Sequence, residues 1–438
     1  MTDTDETAAF PPDEAGAADR PPDPEGPPIE QLTEPADGVP PVAADASALT
    51  EVAAALAAGV GPVAVDAERA SGYRYGQRAY LVQLRRAGAG TFLIDPIALP
   101  DLSTVNDALA GVQWVLHAAT QDIPCLAEVG LRPTSLFDTE LGARLAGRPK
   151  VGLAAVLEHY LGVGLAKEHS AVDWSTRPLP EPWLLYAALD VELLVELRDA
   201  VENDLRAQGK SDWAAQEFAA EVEFTGHAPR QDPWRRTSGM HRVRNRRVAA
   251  HVRSLWEARD QIARQRDVAS GRVLPDASLI DLAVRQPQTA AALVPERPVE
   301  SGRSRQRRAQ QGLQRYQRQW LEAIGEAADL AENDLPDLAR RNDAPPPARA
   351  WADRDPVAAA RLASARAALS ELSDEVLVPV ENLLTPETLR RVLWTPPEQT
   401  DAAGVDAALA AHGARPWQRE LVSPIIVEAL QETADPTD

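Results

Sequence analysis

Four strand-like runs crowd into residues 62–117 of this 438-residue chain, and the apolar patterns that follow them are helical. Pro62-Val63-Ala64-Val65 is the first, Tyr80-Leu81-Val82-Gln83-Leu84 the second and Thr91-Phe92-Leu93-Ile94-Asp95 the third. The Gly88–Gly90 turn between the second and third predicts a hairpin. Trp114-Val115-Leu116-His117 is the fourth. A short amphipathic helix with Leu49, Val52, Ala53 and Leu56 on one face precedes them and ends at Gly59–Gly61. Helical patterns then run over about 102–110, 122–129, 138–146 and 151–162, with one long helix from about 181 to 207. Strands followed by helices packed around them predict one α/β domain over 46–212. Residues 234–318 read as all-helical, with Val248, Val252, Leu255 and Ile262 along one face of a helix from Arg244 to Arg266. A third helical unit spans 320–430 and is interrupted at Pro345-Pro346-Pro347. Three folded units suit a chain of this length.

Residues 1–45 carry ten prolines between Pro11 and Pro41 and no periodic apolar pattern, which predicts a disordered acidic tail and a first folded residue near Ser47. Hydrophobic residues are 44% of the chain but aromatics only 5%, so the cores rest on Ala, Leu and Val. The longest uncharged stretches, Val52–Val65 and Ala108–Gln121, are 14 residues each and too short to span a bilayer. The single cysteine, Cys125, excludes an internal disulfide and a multi-cysteine zinc site. The expectation is a cytoplasmic monomer with no membrane partner.

The net charge of −21 argues at first against a nucleic-acid partner. It hides an asymmetry. Residues 1–50 hold 12 Asp/Glu against Arg20 alone, whereas residues 230–318 hold 20 Arg against 8 Asp/Glu. A net +12 within an acidic chain is either a solvated helical face or a local polyanion-binding surface.

The chemistry-bearing residues are acids. Val63-Ala64-Val65-Asp66-Ala67-Glu68 is a buried strand ending in two carboxylates two residues apart, hence on one side of the strand. Like charges so close repel unless a cation lies between them. Asp122 follows the fourth strand across Ala118-Ala119-Thr120-Gln121, at a strand-to-helix turn. Tyr186 and Asp190 are four residues apart and share a helix face. Taken singly, each has an ordinary explanation: surface acids, a helix N-terminal acid, a core tyrosine beside an aspartate. Together, Asp66, Glu68, Asp122 and Asp190 form a set of hard oxygen ligands suited to two divalent cations, Mg²⁺ or Mn²⁺. Such a pair of ions serves phosphodiester hydrolysis.

These stretches resemble the DEDD 3′-to-5′ exonucleases of the tyrosine-containing subgroup, and within them the ribonuclease D family. The resemblance rests on Val65-Asp66-Ala67-Glu68, Leu116-His117-Ala118-Ala119-Thr120-Gln121-Asp122 and Tyr186-Ala187-Ala188-Leu189-Asp190, supported by Phe137-Asp138-Thr139 and Asp173-Trp174-Ser175-Thr176-Arg177-Pro178-Leu179. It covers about 46–212. It implies a ribonuclease H-like α/β exonuclease domain and metal-dependent release of 5′-mononucleotides from RNA 3′ ends, with stable RNA such as tRNA as substrate. By that resemblance Asp66 bridges two ions and Glu68 and Asp190 hold the ion that carries the attacking water. Asp122 lies towards the second ion, and Tyr186 orients the water. Residues 234–318 resemble the HRDC module, on the long basic helix, Val273-Leu274-Pro275-Asp276 and Leu279-Ile280-Asp281-Leu282-Ala283. Val380-Glu381-Asn382-Leu383-Leu384 makes 320–430 look like a second, degenerate HRDC-like unit.

The basic segment expected to track RNA phosphates begins with Arg242, Arg244, Arg246 and Arg247 and closes with Arg303, Arg305, Arg307 and Arg308; the expected RNA contacts are Arg244 and Arg247, with Lys167 and Arg177 ahead of Tyr186 as either phosphate contacts or surface charge. His117 reads as a packed strand-end histidine and Cys125 as part of the helix after Asp122. The alternatives are a 3′-to-5′ DNA exonuclease and a catalytically silent nucleic-acid-binding protein of the same fold.

Overall fold

The computed structural model describes residues 29–165, 172–297, 299–338 and 344–432. Its first unit is built on a six-stranded mixed sheet. The strands in chain order are β1 (Glu30–Leu32), β2 (Val42–Ala43), β3 (Val60–Arg69), β4 (Ala79–Ala87), β5 (Gly90–Ile94), β6 (Trp114–Leu116), β7 (Leu136–Asp138) and β8 (Val163–Leu165). The sheet order is β2-β5-β4-β3-β6-β7, and β1 pairs separately with β8. β3 is central because Val63, Ala64 and Val65 are apolar on both faces and at most 1% exposed. It runs antiparallel to β4 and parallel to β6. The sequence ends this strand at its acids. In the structure it continues to Arg69, with Asp66 opposite Gln83 and Glu68 opposite Leu81, so ladder hydrogen bonds extend past the apolar run.

Helix α1 (Ala46–Ala58) buries Leu49, Val52, Ala53 and Leu56 as its periodicity requires, and Asp45 caps it by accepting from Ala48 N. Ordered chain begins earlier than Ser47. β1 and β2 are edge additions stabilised by backbone pairing with β8 and β5, and Ala36 N donates to Glu192. Two- and three-residue strands of this kind carry no alternation for a sequence reading to detect. Residues 1–28 of the expected tail lie outside the described residues.

Further along come α2 (Ile123–Glu128), α3 (Thr139–Leu145), α4 (Glu181–Glu192), α5 (Leu194–Ala207) and α6 (Ser211–Val222). The single helix expected over 181–207 breaks at Leu193 (φ −117°, ψ 14°). The break lets α4 lie on β3, β4 and β5 while α5 packs on α3 and β6. Helix α6 extends beyond residue 212 and packs Phe218 against Phe137, the tilted rings 4.5 Å apart centre to centre.

The two helical units repeat one design. In the first, α7 (Arg246–Arg266) ends on Asp267 in the left-handed region, followed by the short α8 (Ser270–Val273), an extended Leu274 and α9 (Asp276–Arg285). α10 (Arg303–Arg315) and α11 (Gln317–Asp329) close it. In the second, α12 (Pro356–Val376) ends on Leu377 in the left-handed region, followed by α13 (Val380–Leu383), an extended Leu384 and α14 (Pro386–Trp394). α15 (Pro416–Glu432) closes it.

Each unit docks on the sheet domain through the same corner. At the first, Asp267 accepts from Tyr75 N at 3.3 Å, Ala269 N donates to Tyr73 O at 3.0 Å, and Arg272 Nε donates to Gly72 O at 2.6 Å. At the second, Lys210 Nζ donates to Leu145 O at 2.7 Å and reaches Leu377 O at 3.5 Å. Gly147 (φ +80°) lies so close that a Cβ there would sit 2.8 Å from Leu377 O. Gly147→Ala should therefore lower full-chain stability by at least about 1 kcal/mol, the lower end of the left-handed penalty for an L-residue. Urea denaturation measures this, and an unchanged midpoint would mean the corner contributes nothing.

Candidate active site

β3 presents Asp66 and Glu68 on one side, and α4 delivers Asp190 onto the same side of the sheet. One carboxylate oxygen from each lies within 4.8 Å of the others. Asp190 is 8% exposed and Asp122 6%. Asp122 stands at the margin of this group. Its carboxyl shares a hydrogen bond with Asp66, and Arg69 Nε lies 3.6 Å from its Oδ1. The fully buried Gln83 supports Asp66 from β4, its Nε2 3.5 Å from Asp66 Oδ2. Tyr186, one helical turn before Asp190, has its hydroxyl hydrogen-bonded to the Asp190 carboxylate.

The electrostatics follow from this crowding. Burial first, then the fields of Asp66, Asp190 and Asp122, push the Glu68 carboxyl up to about 10. Burial, reinforced by Asp66, raises Asp122 and Asp190 well above the usual carboxylate range, and burial raises Asp66 too. Arg69 is the cation that opposes these shifts at Asp66, Glu68 and Asp122. Burial and the neighbouring carboxylates also raise the Tyr186 phenol. Closely spaced carboxylate oxygens short of positive charge are the donor set hard divalent cations take. The cluster of Asp66, Glu68 and Asp190 fits such an ion.

The residues around the acids are structural. Trp174, fully buried, lies 5.6 Å from Trp183 and 6.4 Å from Tyr186, ring centre to ring centre. Arg177 is engaged within the protein. Its Nε and one Nη2 bond grip Asp95, and its remaining donors go to the carbonyls of Tyr80, Trp174 and Thr176. All five guanidinium donors are thereby used. Lys167 lies outside the described residues. Arg247 is also engaged, its Nη1 binding the carbonyls of Ala327, Ala328 and Leu330 at and after the end of α11 and its Nη2 the Glu332 carboxylate. Arg244 is exposed. His117 Nδ1 lies 2.9 Å from Thr139 Oγ1, and buried Cys125 donates to Asp122 O.

The 3′-5′ exonuclease family matches residues 41–206, the HRDC domain 249–301, and the 3′ to 5′ exonuclease C-terminal domain 344–430. A ribonuclease D from Granulibacter bethesdensis is 31% identical over 289 residues, 64% of this chain and 70% of the relative. The chain belongs to the ribonuclease D family. Over the first four curated ribonuclease D relatives, the matched part spans 53% to 72% of their length. A crystal structure of a protein from Bifidobacterium adolescentis is 38% identical with a TM-score of 0.83, covering 92% of this chain and 100% of that one. The structure of Escherichia coli RNase D shares the fold at 24% identity and a TM-score of 0.65, covering 90% and 98%. An α/β exonuclease domain followed by helical HRDC and C-terminal units, the expected fold class, is thus the fold of ribonuclease D.

Sequence reasoning passed over Arg69, Gln83 and Asp138 as contributors to the site. For Asp138 a signal existed. An acid between apolar Leu136-Phe137 and Thr139-Glu140 is a helix N-cap pattern. Nothing in the sequence marks Gln83, a polar residue on a strand buried on both faces.

The raised acids bear on stability with a definite sign. Glu68 titrates near 4.5 unfolded and near 10 folded, so its contribution is present below about pH 4.5 and is lost as pH rises towards 10. A divalent cation offsets the mutual repulsion of the carboxylates and displaces protons. Mg²⁺ or Mn²⁺ should therefore raise the wild-type Tm more at about pH 8.5 than at about pH 5.5. Asp66→Asn should gain little at either. Equal gains for both proteins in a melting experiment would refute a metal site here.

Proposed function

We propose that this chain is a metal-dependent 3′-to-5′ exoribonuclease that releases 5′-mononucleotides from RNA ends, acting in the cytoplasm as a monomer on stable RNAs such as tRNA precursors. The observation that carries the proposal is the convergence of Asp66, Glu68 and Asp190, with Asp122 bonded to Asp66 and Tyr186 bonded to Asp190. Two Mg²⁺ or Mn²⁺ ions held there would supply a nucleophilic water and neutralise the leaving oxygen. Asp66, central on β3, is the residue able to serve both ions. Glu68 and Asp190 serve the first and Asp122 the second. Burial and the neighbouring carboxylates favour the protonated phenol of Tyr186, which is anchored to Asp190 by its hydroxyl. On this reading Tyr186 orients the attacking water. Arg69 neutralises the Asp122 side.

Asp66→Asn should abolish cleavage of a 5′-labelled RNA while leaving RNA binding near normal. Tyr186→Phe should lower kcat by roughly 10²–10⁴, the range of a positioned acid–base group. A matched DNA strand run beside the RNA decides the nucleic-acid preference. Full activity in Asp66→Asn at saturating Mn²⁺ would reject the reading.

Contact with the body of the RNA belongs, on this reading, to α10. With Arg247 pinned, Arg259 held by Asp276 and Arg285 by Asp281, much of the basic segment is internally neutralised. Residues 301–321 instead carry six arginines and no acid, and Arg303, Arg305, Arg307 and Arg315 are exposed. Gly312 seats this helix against Val273 O, adjoining the α8 corner that holds the loop after β3. No described helix is long and apolar enough to cross a membrane. Arg303→Glu with Arg307→Glu should weaken binding of long RNA and flatten the log–log salt dependence by roughly 0.7 for each phosphate no longer neutralised. Arg247→Ala should act through stability and leave that slope alone. A slope unchanged in the α10 variant would remove the helix from the RNA path.

A further inference from the structure

Of the four acids, Asp122 alone is borne by neither a strand nor a regular α-helix. It follows Ala118, a non-glycine residue at φ 61°, and the single 3₁₀ turn Ala119–Gln121. Such a conformation is unfavourable at a residue with a Cβ and persists where neighbours enforce it. The enforcing group is Asp138. Its Oδ1 accepts from Ala118 N at 3.0 Å and its Oδ2 from Ala119 N at 2.7 Å. The same Oδ1 accepts from Glu140 N and Leu141 N, capping α3. One carboxylate, 2% exposed, thus ties the start of α3 to the turn that presents Asp122. Thr139 adds a parallel stitch, donating to Leu116 O at 3.0 Å.

Asp138 is itself held from behind. Glu221 of α6 hydrogen-bonds to it, and Glu221 Oε2 is buried. Two carboxyls joined this way need a proton between them. Burial and the surrounding acids keep Glu221 protonated, at about 10. One turn earlier, Glu217 accepts from Trp417 Nε1 at 2.9 Å, and Gln216 accepts from Trp417 N at 3.0 Å. Trp213 stacks on Trp417 at 4.9 Å. The C-terminal unit therefore fixes α6, and α6 brings Glu221 to Asp138.

We propose that Asp138, braced by Glu221, is a positioning residue for Asp122 and sets the metal affinity and turnover of the site without touching ion or RNA. The inference rests on the reading of Asp122 as part of a metal-dependent site. Partners that orient a ligand in this manner typically affect affinity or rate by about 10–100-fold.

The test uses the full chain, Mn²⁺ titration calorimetry, and kcat and KM on a 5′-labelled RNA. Asp138→Asn should lower Mn²⁺ affinity and kcat by about 10–100-fold with KM little changed. In an Asp122→Asn background it should lower Mn²⁺ affinity no further, because its effect passes through Asp122. Equal losses in both backgrounds, or no loss in either, would overturn the proposal. Should Asp138→Asn fail to fold, Glu221 decides. Glu221→Gln retains a donor to Asp138 and should lose less affinity and kcat than Glu221→Met, and indistinguishable variants would count against the brace. A wild-type chain that neither binds Mn²⁺ nor cleaves RNA would sink the functional reading and this inference with it. An active wild type with an unaltered Asp138→Asn would sink the inference alone.

Discussion

Mutual repulsion among Asp66, Glu68, Asp122 and Asp190 is the constraint to which the rest of the molecule answers. Buried carboxylates unrelieved by positive charge move apart, protonate or recruit cations. The sheet prevents the first. Asp66 and Glu68 sit on its central strand, held by hydrogen bonds to β4 along the whole acidic stretch. α4 is clamped over them by Trp174 beneath and by Arg177, which ties the segment ahead of it to Asp95 at the end of β5. Rigidity here is what turns an unfavourable cluster into a cation site. A floppy version of the same four residues would relax into solvent.

The acids themselves were legible because their spacing carries geometry: two residues apart on a strand, four apart on a helix. The strands that hold them were legible from apolar runs, and α1 from its periodicity. What escaped detection depends on partners distant in sequence. β1 and β2 exist because β8 and β5 offer edges. The break at Leu193 reflects two packing surfaces and no helix-breaking residue. Arg177 and Arg247 read as free charge because nothing near them in sequence neutralises it. Their charged acceptors are Asp95 and Glu332, 82 and 85 residues away along the chain. Formal charge predicts a polyanion surface only after such internal pairs are set aside.

The same separation of roles explains a net +12 segment inside an acidic chain. Arginine's planar, always-charged fork caps helix ends and bridges carboxylates as readily as it binds phosphate. In the first helical unit Arg247, Arg259, Arg264 and Arg285 of α7 and α9 do the former. Arg303, Arg305, Arg307 and Arg315 of α10 have no acid within their helix and are exposed. The repeat of one corner in both helical units makes the contrast sharper. Asp267 and Leu377 occupy equivalent left-handed positions after 21-residue helices, yet Asp267 meets the sheet domain with its carboxylate and Leu377 with its backbone carbonyl.

Docking at those two corners reaches the acids by different routes. The first unit grips Gly72, Tyr73 and Tyr75, in the loop that leaves β3 just after Glu68. The second grips α6 through Trp417, and α6 bears on Asp138 and so on the turn before Asp122. Strand-borne Asp66 and Glu68 need little outside help, because the central sheet holds them. Asp122 sits on a left-handed alanine and one 3₁₀ turn, with little local structure to fix it. The acid whose own backbone does least to fix it is therefore the one braced by the most distant part of the chain. That is the arrangement expected if the helical units were retained to keep the site in register as well as to hold nucleic acid.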